Sequence, residues 1–92
     1  MTLRIAGRIV QSKTTVSTTA TAIPSTAAVG RNTMLVKNNG SNTVYLGDSS
    51  VTAANGYPLE AGEEKAFDLD DKVVLYGITD SSTSEVRCLE GV

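Results

Sequence analysis

The sequence predicts an all-β protein, either a small antiparallel β-sandwich or a jelly-roll-like barrel, with a short N-terminal arm. Apolar residues keep no helical spacing over three turns anywhere in the chain. Short runs rich in valine, threonine and isoleucine recur instead, and turn-forming residues separate them at intervals of roughly 8 to 12 residues. A chain of 92 residues is one domain. We therefore assign residues 14–92 to the β-sandwich domain and residues 1–13 to an arm or first strand.

The first segment alternates apolar and basic side chains. Leu3, Ile5 and Ile9 share one face of an extended strand, and Arg4 and Arg8 lie on the other. Two interpretations stay open with equal weight. Residues 2–10 are an attachment arm whose backbone pairs with a partner, or they are the first strand of the sandwich itself.

The next two features are predicted strands rich in β-branched residues. Residues 14–23 are dense in threonine and stop before a proline, which predicts one long polar strand; a disordered linker is the alternative. Residues 34–37 and 43–46 flank a stretch of asparagine, glycine and serine at 38–42. Because asparagine and glycine tolerate a positive φ, this pattern predicts a β-hairpin with a five-residue loop.

The second half predicts strands at residues 65–69, 73–78 and 85–89, and a short extended piece at 51–54. Turn residues separate these segments. In a sandwich, alternate residues of each strand face inward. The alternation predicts an interior that contains Val36, Val44, Leu46, Phe67, Leu69, Val73, Leu75 and Val86.

Composition excludes most kinds of catalytic and metal site. The chain has no histidine and one cysteine, so one subunit cannot assemble the commonest zinc, iron or copper ligand sets, nor a Ser-His-Asp or Cys-His site. Asp68, Asp70 and Asp71 form the one tight acidic cluster, but Val73 and Thr79 stand where a calcium-binding EF-hand loop needs glycine and glutamate. We expect a solvated strand edge there. The prediction is a protein that is not an enzyme and that uses no metal and no cofactor.

The cysteine, Cys88, lies between Val86 and Leu89 in a strand-like run. Free cysteine in such a setting packs as a small apolar residue. We expect Cys88 to be buried and unreactive.

Charge is divided unevenly along the chain. Residues 1–47 carry five basic side chains and no acidic one, whereas residues 48–92 carry all ten acidic side chains and three basic ones. Either the two halves interleave in the sandwich and neutralise each other, or a basic end of one molecule meets an acidic surface on a neighbour. The total of −2 does not favour nucleic-acid binding by bulk charge.

Self-association is predicted from the small core. The aromatic residues are one phenylalanine and three tyrosines, and one cysteine cannot form a disulfide within the chain. Small domains without such crosslinks often complete their hydrophobic burial against copies of themselves. We expect a homotrimer. No apolar run is long enough to span a bilayer or to act as a signal peptide, so we expect no membrane association and synthesis in a cytoplasm.

A series of short motifs, in a fixed order, carries a resemblance. The order is a threonine-rich strand ending in Ala22-Ile23-Pro24-Ser25, then Gly30-Arg31, the LVKNNGSNTVYLG stretch at 35–47, VTAANGYPL at 51–59, the turn at Gly62-Glu63, and a closing VRCLE at 86–90. From residue 14 to residue 90 the chain resembles a small β-domain of tailed-bacteriophage virion proteins. The resemblance covers about four fifths of the chain and implies a structural module of the virion.

Because the module makes up nearly the whole chain, the resemblance favours a capsid decoration (cement) protein that binds the outer surface of the head and stabilises it. The expected partners are the major capsid protein and further copies of the chain, and the expected location is the virion. A neck or tail adaptor and a head-fibre component are alternatives. A carbohydrate-binding module is less favoured because clustered aromatics are lacking. The candidate contact residues toward capsid or subunit are Thr2, Leu3, Arg4, Ile5, Arg8 and Ile9.

Overall fold

The computed structural model describes residues 7–92, which form eight β-strands and no helix. The strands are β1 (Ile9–Val16), β2 (Thr21–Ile23), β3 (Thr33–Asn38), β4 (Val44–Gly47), β5 (Tyr57–Leu59), β6 (Glu64–Phe67), β7 (Leu75–Ile78) and β8 (Ser84–Gly91). All strand pairings are antiparallel. The prediction of an all-β fold is confirmed.

The strands form two four-stranded sheets in the order β1-β8-β3-β6 and β2-β7-β4-β5. The first strand pairs with the last, the second with the seventh, the third with the sixth, and the fourth with the fifth. This nesting describes one long hairpin rolled around a core, and β8–β3 and β7–β4 pairing completes the two sheets. An eight-stranded double sheet wound in this way is a jelly roll.

The core lies between the sheets and receives side chains from both. Val16, Met34, Val36, Val86 and Cys88 come from the first sheet, and Ile23, Val44, Leu46, Leu59 and Leu75 come from the second. Five of the eight residues predicted to be interior are buried, namely Val36, Val44, Leu46, Leu75 and Val86. The aromatic ring of Phe67 and the side chain of Leu69 are partly buried against this cluster.

Val73 was predicted to be interior, and that prediction is wrong. Its side chain is 49% exposed. Val73 lies before β7, in a turn where its N–H donates to the carbonyl oxygen of Asp70 at 3.0 Å. The alternation of a strand therefore does not apply to it, and the inward-facing positions begin at Leu75.

The prediction of one long strand over residues 14–23 is also wrong. β1 ends at Val16 and β2 begins at Thr21 in the other sheet. Val16 and Ile23 are both fully buried, one on each side of the core, and a straight strand could not supply both. The N–H of Thr79 donates to the carbonyl oxygen of Ser17 at 2.9 Å, which holds the crossing segment against the strand that it passes.

The predicted hairpin at residues 34–46 does not exist. β3 and β4 belong to different sheets. Both edges of β3 are already bonded, to β8 on one side and to β6 on the other, so β4 has no edge of β3 to pair with. Residues 38–42 instead carry the chain from one sheet to the other.

Residues 51–54 are a turn and not the predicted extended piece. The N–H of Val51 donates to Asp48 at 3.0 Å and that of Gly56 donates to Thr52 at 2.8 Å. These bonds close the chain on itself, and β5 begins only at Tyr57.

Candidate attachment surface

Four of the six candidate contact residues, Thr2, Leu3, Arg4 and Ile5, lie outside the described residues. Arg8 and Ile9 lie at the start of the first sheet. The Nη2 group of Arg8 donates to the carbonyl oxygen of Val29 at 3.2 Å, and Ile9 begins β1 with 56% of its surface exposed. The structure therefore brings Arg8 and Ile9 to one end of the sandwich, where Arg8 is bonded to its own chain.

A buried ion pair organises this end of the molecule. Arg31 and Glu90 are 2% and 1% exposed, and Nη1 of the arginine lies 3.2 Å from Oε2 of the glutamate. The same carboxylate oxygen accepts the N–H of Ala28 at 2.9 Å. The guanidinium also donates to the carbonyl oxygens of Leu69 at 3.3 Å and Asp70 at 2.8 Å, and to that of Val73.

These bonds join the β2–β3 connection, the β6–β7 connection and the last strand through one side chain. No local sequence pattern predicts the pair, because Arg31 and Glu90 are 59 residues apart. It brings a basic residue of the first half against an acidic residue of the second within one subunit. At this position the charges neutralise each other inside the chain, and Arg31 is not available to a partner.

The acidic cluster of Asp68, Asp70 and Asp71 also helps to join the β6–β7 connection to the β2–β3 connection. Asp71 accepts the N–H of Gly30 through Oδ2 at 2.7 Å, and this bond holds the pKa of its carboxyl below its usual range. Asp70 accepts the N–H of Lys72 through Oδ1 at 2.8 Å. Among residues 7–92 no three His, Cys, Asp or Glu side chains are grouped so as to hold a metal ion.

Cys88 is buried, as predicted, and is 4% exposed. Burial, and then the nearby charge of Glu90, raises the pKa of its thiol to about 11. A thiol with this pKa is almost entirely protonated near neutral pH, which makes it a poor nucleophile.

The outer face of the β1-β8-β3-β6 sheet, on the side away from the core, is a better candidate for attachment than the end that holds Arg8 and Ile9. Here outer face means the outward side chains of the four strands: Ile9, Gln11, Lys13, Thr15, Leu35, Lys37, Glu64, Ala66, Glu85, Arg87 and Leu89. The register aligns them in rows across the sheet. One row runs Gln11, Leu89, Leu35 and Ala66, and the next runs Lys13, Arg87, Lys37 and Glu64.

The two rows border a shallow depression of about 410 Å³. Leu35 and Leu89 give it an apolar floor, and Lys13, Lys37 and Arg87 provide three cations beside it. Arg87 is partly neutralised because its Nε bonds the carboxylate of Glu85, whose pKa it lowers. An apolar centre next to unburied cations has the composition that would complement an acidic, partly apolar protein surface.

Sequence reasoning missed this surface. The alternation of leucine with a basic residue is visible at positions 35 to 37 and 87 to 89. What is not visible is that β8 is central to the sheet and lies between β1 and β3, which places these residues side by side.

A second groove, of about 550 Å³, lies along β5 and β6. The ammonium of Lys65 donates to the hydroxyl of Tyr57 at 2.8 Å and lies 4.4 Å from the centre of its ring. Oε1 of Glu63 accepts the N–H of Glu60 at 2.8 Å, so this carboxylate closes its own turn. These contacts are internal to the chain and involve the side chains of Tyr57, Glu63 and Lys65 in the groove lining.

Compared with models of known protein families and with curated protein sequences, the chain matches none. No helix within residues 7–92 has the length and apolar character needed to cross a bilayer.

Proposed function

We propose that this protein is a decoration (cement) protein of a tailed-phage head, which binds the outside of the capsid and stabilises the assembled shell. The observation that carries the proposal is the outer face, where Leu35 and Leu89 form an apolar floor beside Lys13, Lys37 and Arg87. The ordered motifs from residue 14 to residue 90 and the jelly-roll strand order, which recurs in viral capsid domains, support it. The fold by itself would not support a decoration function, since one fold hosts many functions.

The mechanism would be mass action. A ligand that contacts two capsid subunits at once binds the assembled lattice better than the free subunit, and it stabilises the lattice by that difference in binding free energy. In this proposal the outer face meets an acidic, partly apolar surface of the major capsid protein. Synthesis takes place in the bacterial cytoplasm, and the protein ends on the virion.

The experiment adds purified protein to heads that lack it and measures co-sedimentation and the temperature at which DNA is released. Replacing both Lys37 and Arg87 by Glu reverses two cations of the outer face and should abolish co-sedimentation. Lys37→Glu alone should weaken binding, and its matched control is Lys72→Glu, the same single charge reversal on the exposed β6–β7 connection, which should bind as the unchanged protein does. Equal binding by the two variants would contradict the outer face as the attachment surface.

Copy number separates this proposal from its main alternative. A neck or tail adaptor, or a head fibre attached at one vertex, would be present at the number of one ring or one vertex. A decoration protein would be present in proportion to the capsid subunits. Quantifying the chain against the major capsid protein in purified particles distinguishes the two, and a ring-like number would replace decoration by the adaptor proposal.

Association into a homotrimer stays a prediction. A carbohydrate-binding function has one exposed aromatic side chain to use among the described residues, Tyr57, and its hydroxyl is bonded to Lys65.

A further inference from the structure

The first strand presents a long edge. β1 is eight residues long and lies at the edge of its sheet, paired only with β8 among the described strands. The other three edge strands are short: β2 and β5 have three residues each and β6 has four. Pro58 in the middle of β5 removes an N–H, which is a common protection of sheet edges. β1 is neither short nor interrupted by proline, and Lys13 is its one charged residue.

The direction of the backbone groups in β1 follows from its bonds to β8. Arg8 and Val92 exchange two backbone hydrogen bonds, of 3.2 and 3.0 Å. In an antiparallel pair such exchanges alternate with positions that point the other way. Even-numbered residues of β1 therefore bond β8, while Ile9, Gln11, Lys13 and Thr15 direct their N–H and C=O groups away from the sheet.

We propose that β1 pairs antiparallel with β1 of a second copy of this chain, around a two-fold axis at Ser12, to make one continuous eight-stranded sheet. In this register Gln11 faces the partner's Lys13, and Ile9 faces the partner's Thr15. All four positions have outward backbone groups, so each facing pair exchanges hydrogen bonds. No two like charges face each other across the axis.

A buried hydroxyl selects a second copy as the occupant. Among the described residues, Ser12 Oγ is the one buried side-chain oxygen or nitrogen that makes no hydrogen bond of ordinary geometry. Its neighbour in β8 is Cys88, whose thiol is a weak hydrogen-bonding group. On the proposed axis Ser12 faces the partner's Ser12 in a pair without backbone bonds, where Cα atoms approach to about 4.5 Å. Rotation of each side chain about χ1 then lets the two hydroxyls bond each other across the axis, whereas a strand with no hydroxyl at this position would offer no such partner.

This inference does not rest on capsid attachment. It specifies a contact that closes with two copies. A threefold assembly would use a different surface, so the two-fold contact and the trimer prediction are tested separately.

Cross-linking between two single-cysteine variants tests the register. Gln11→Cys and Lys13→Cys are purified separately, mixed and oxidised. Facing residues of a hydrogen-bonded pair have Cα atoms about 5.5 Å apart, within the range of a disulfide. We expect a disulfide-linked dimer in the mixture and little in either variant alone. The matched control mixes Gln11→Cys with Thr15→Cys, which lie two residues out of register on the same face of the sheet.

A mixture that cross-links no better than this control would overturn the proposal. Native Cys88 is buried and does not compete.

A second measurement uses sedimentation of the isolated protein over a wide concentration range. Gln11→Pro removes an N–H that points away from β8, so the strand keeps its bonds within the chain, which circular dichroism checks. We expect at least a tenfold weaker dimer for Gln11→Pro than for Gln11→Thr, which keeps the N–H. An unmodified protein that sediments as a monomer throughout, or a dimer equally strong in both variants, would show that β1 is not the contact.

Discussion

The side chain of Arg31 shows how one residue can hold several segments of this small domain together. Its guanidinium reaches one carboxylate and three carbonyl oxygens from inside the protein. A buried ion pair is weak evidence of net stability, because desolvating both ions costs about as much as their attraction returns. Removing only one partner lowers stability strongly, since the other charge is then buried without a counter-charge.

We therefore expect Arg31→Met to lower the free energy of unfolding by about 3 to 5 kcal/mol, the range for breaking a buried pair. The arginine also satisfies backbone carbonyls, so the double variant Arg31→Met with Glu90→Gln should recover only part of the loss. The control is Arg87→Met, whose ion pair with Glu85 is exposed at the surface. Denaturant unfolding followed by circular dichroism measures all three, and an equal effect of Arg31→Met and Arg87→Met would contradict the prediction.

The crossing between β3 and β4 illustrates the limit of sequence prediction at the scale of the element. Local propensity alone predicts a hairpin turn from the asparagines and glycine at 38–42. Whether two consecutive strands pair depends on which edges are free, and β3 has none once β6 and β8 are in place. Those partners come from 26 or more positions further along the chain. β8, by contrast, was predicted almost as observed, since its alternation is complete within the strand itself.

Asn38 is the residue that turns this segment into a crossing. It is fully buried, and its Nδ2 donates to the carbonyl oxygens of Asn42 at 2.8 Å and Leu59 at 2.9 Å. Its Oδ1 accepts the hydroxyl of Ser84 at 2.7 Å and the N–H of Gly40 at 3.1 Å. All of its side-chain hydrogen-bonding groups are used, and the bonds tie both sheets to the loop.

We expect Asn38→Ala to destabilise the fold by about 2 to 4 kcal/mol, because several buried donors and acceptors lose their partner at once. Asn38→Asp keeps the shape but loses the amide donors to Asn42 and Leu59, so it should be destabilising as well. Asn39→Ala is the control: its Nδ2 contacts only Glu85, at 3.5 Å on the surface. In thermal unfolding, the melting temperature of Asn39→Ala should be far above those of both Asn38 variants. If residues 38–42 were only a surface hairpin loop, the Asn38 and Asn39 variants would have similar melting temperatures.

At the scale of the whole molecule, the fold class could be predicted from the sequence while the assembly of the two sheets could not. Alternating residues and turn spacing define strands, and strands without helices leave few architectures. The outer face and the free edge of β1 both depend on strand order. That order is set by pairing between residues near opposite ends of the chain, such as Ile9 with Gly91. Charge neutralisation also depends on strand order, because Arg31 and Glu90 come together only when the two sheets have formed.

The two interpretations of residues 2–10 predict different outcomes for two deletions. Gly7 and Arg8 donate their N–H groups to the carbonyl oxygen of Val92, and residues 9 and 10 are part of β1. Deleting residues 2–10 removes this pairing and should lower the melting temperature by several degrees, since about 1 kcal/mol shifts it by 4 to 8 °C in a domain of this size.

Deleting only residues 2–6 leaves every one of these bonds. We expect that shorter deletion to keep the melting temperature and, if the arm interpretation is right, to lose co-sedimentation with heads. Full binding by the shorter deletion would assign attachment to the outer face alone, whereas a large fall in its melting temperature would make residues 2–6 part of the folded core.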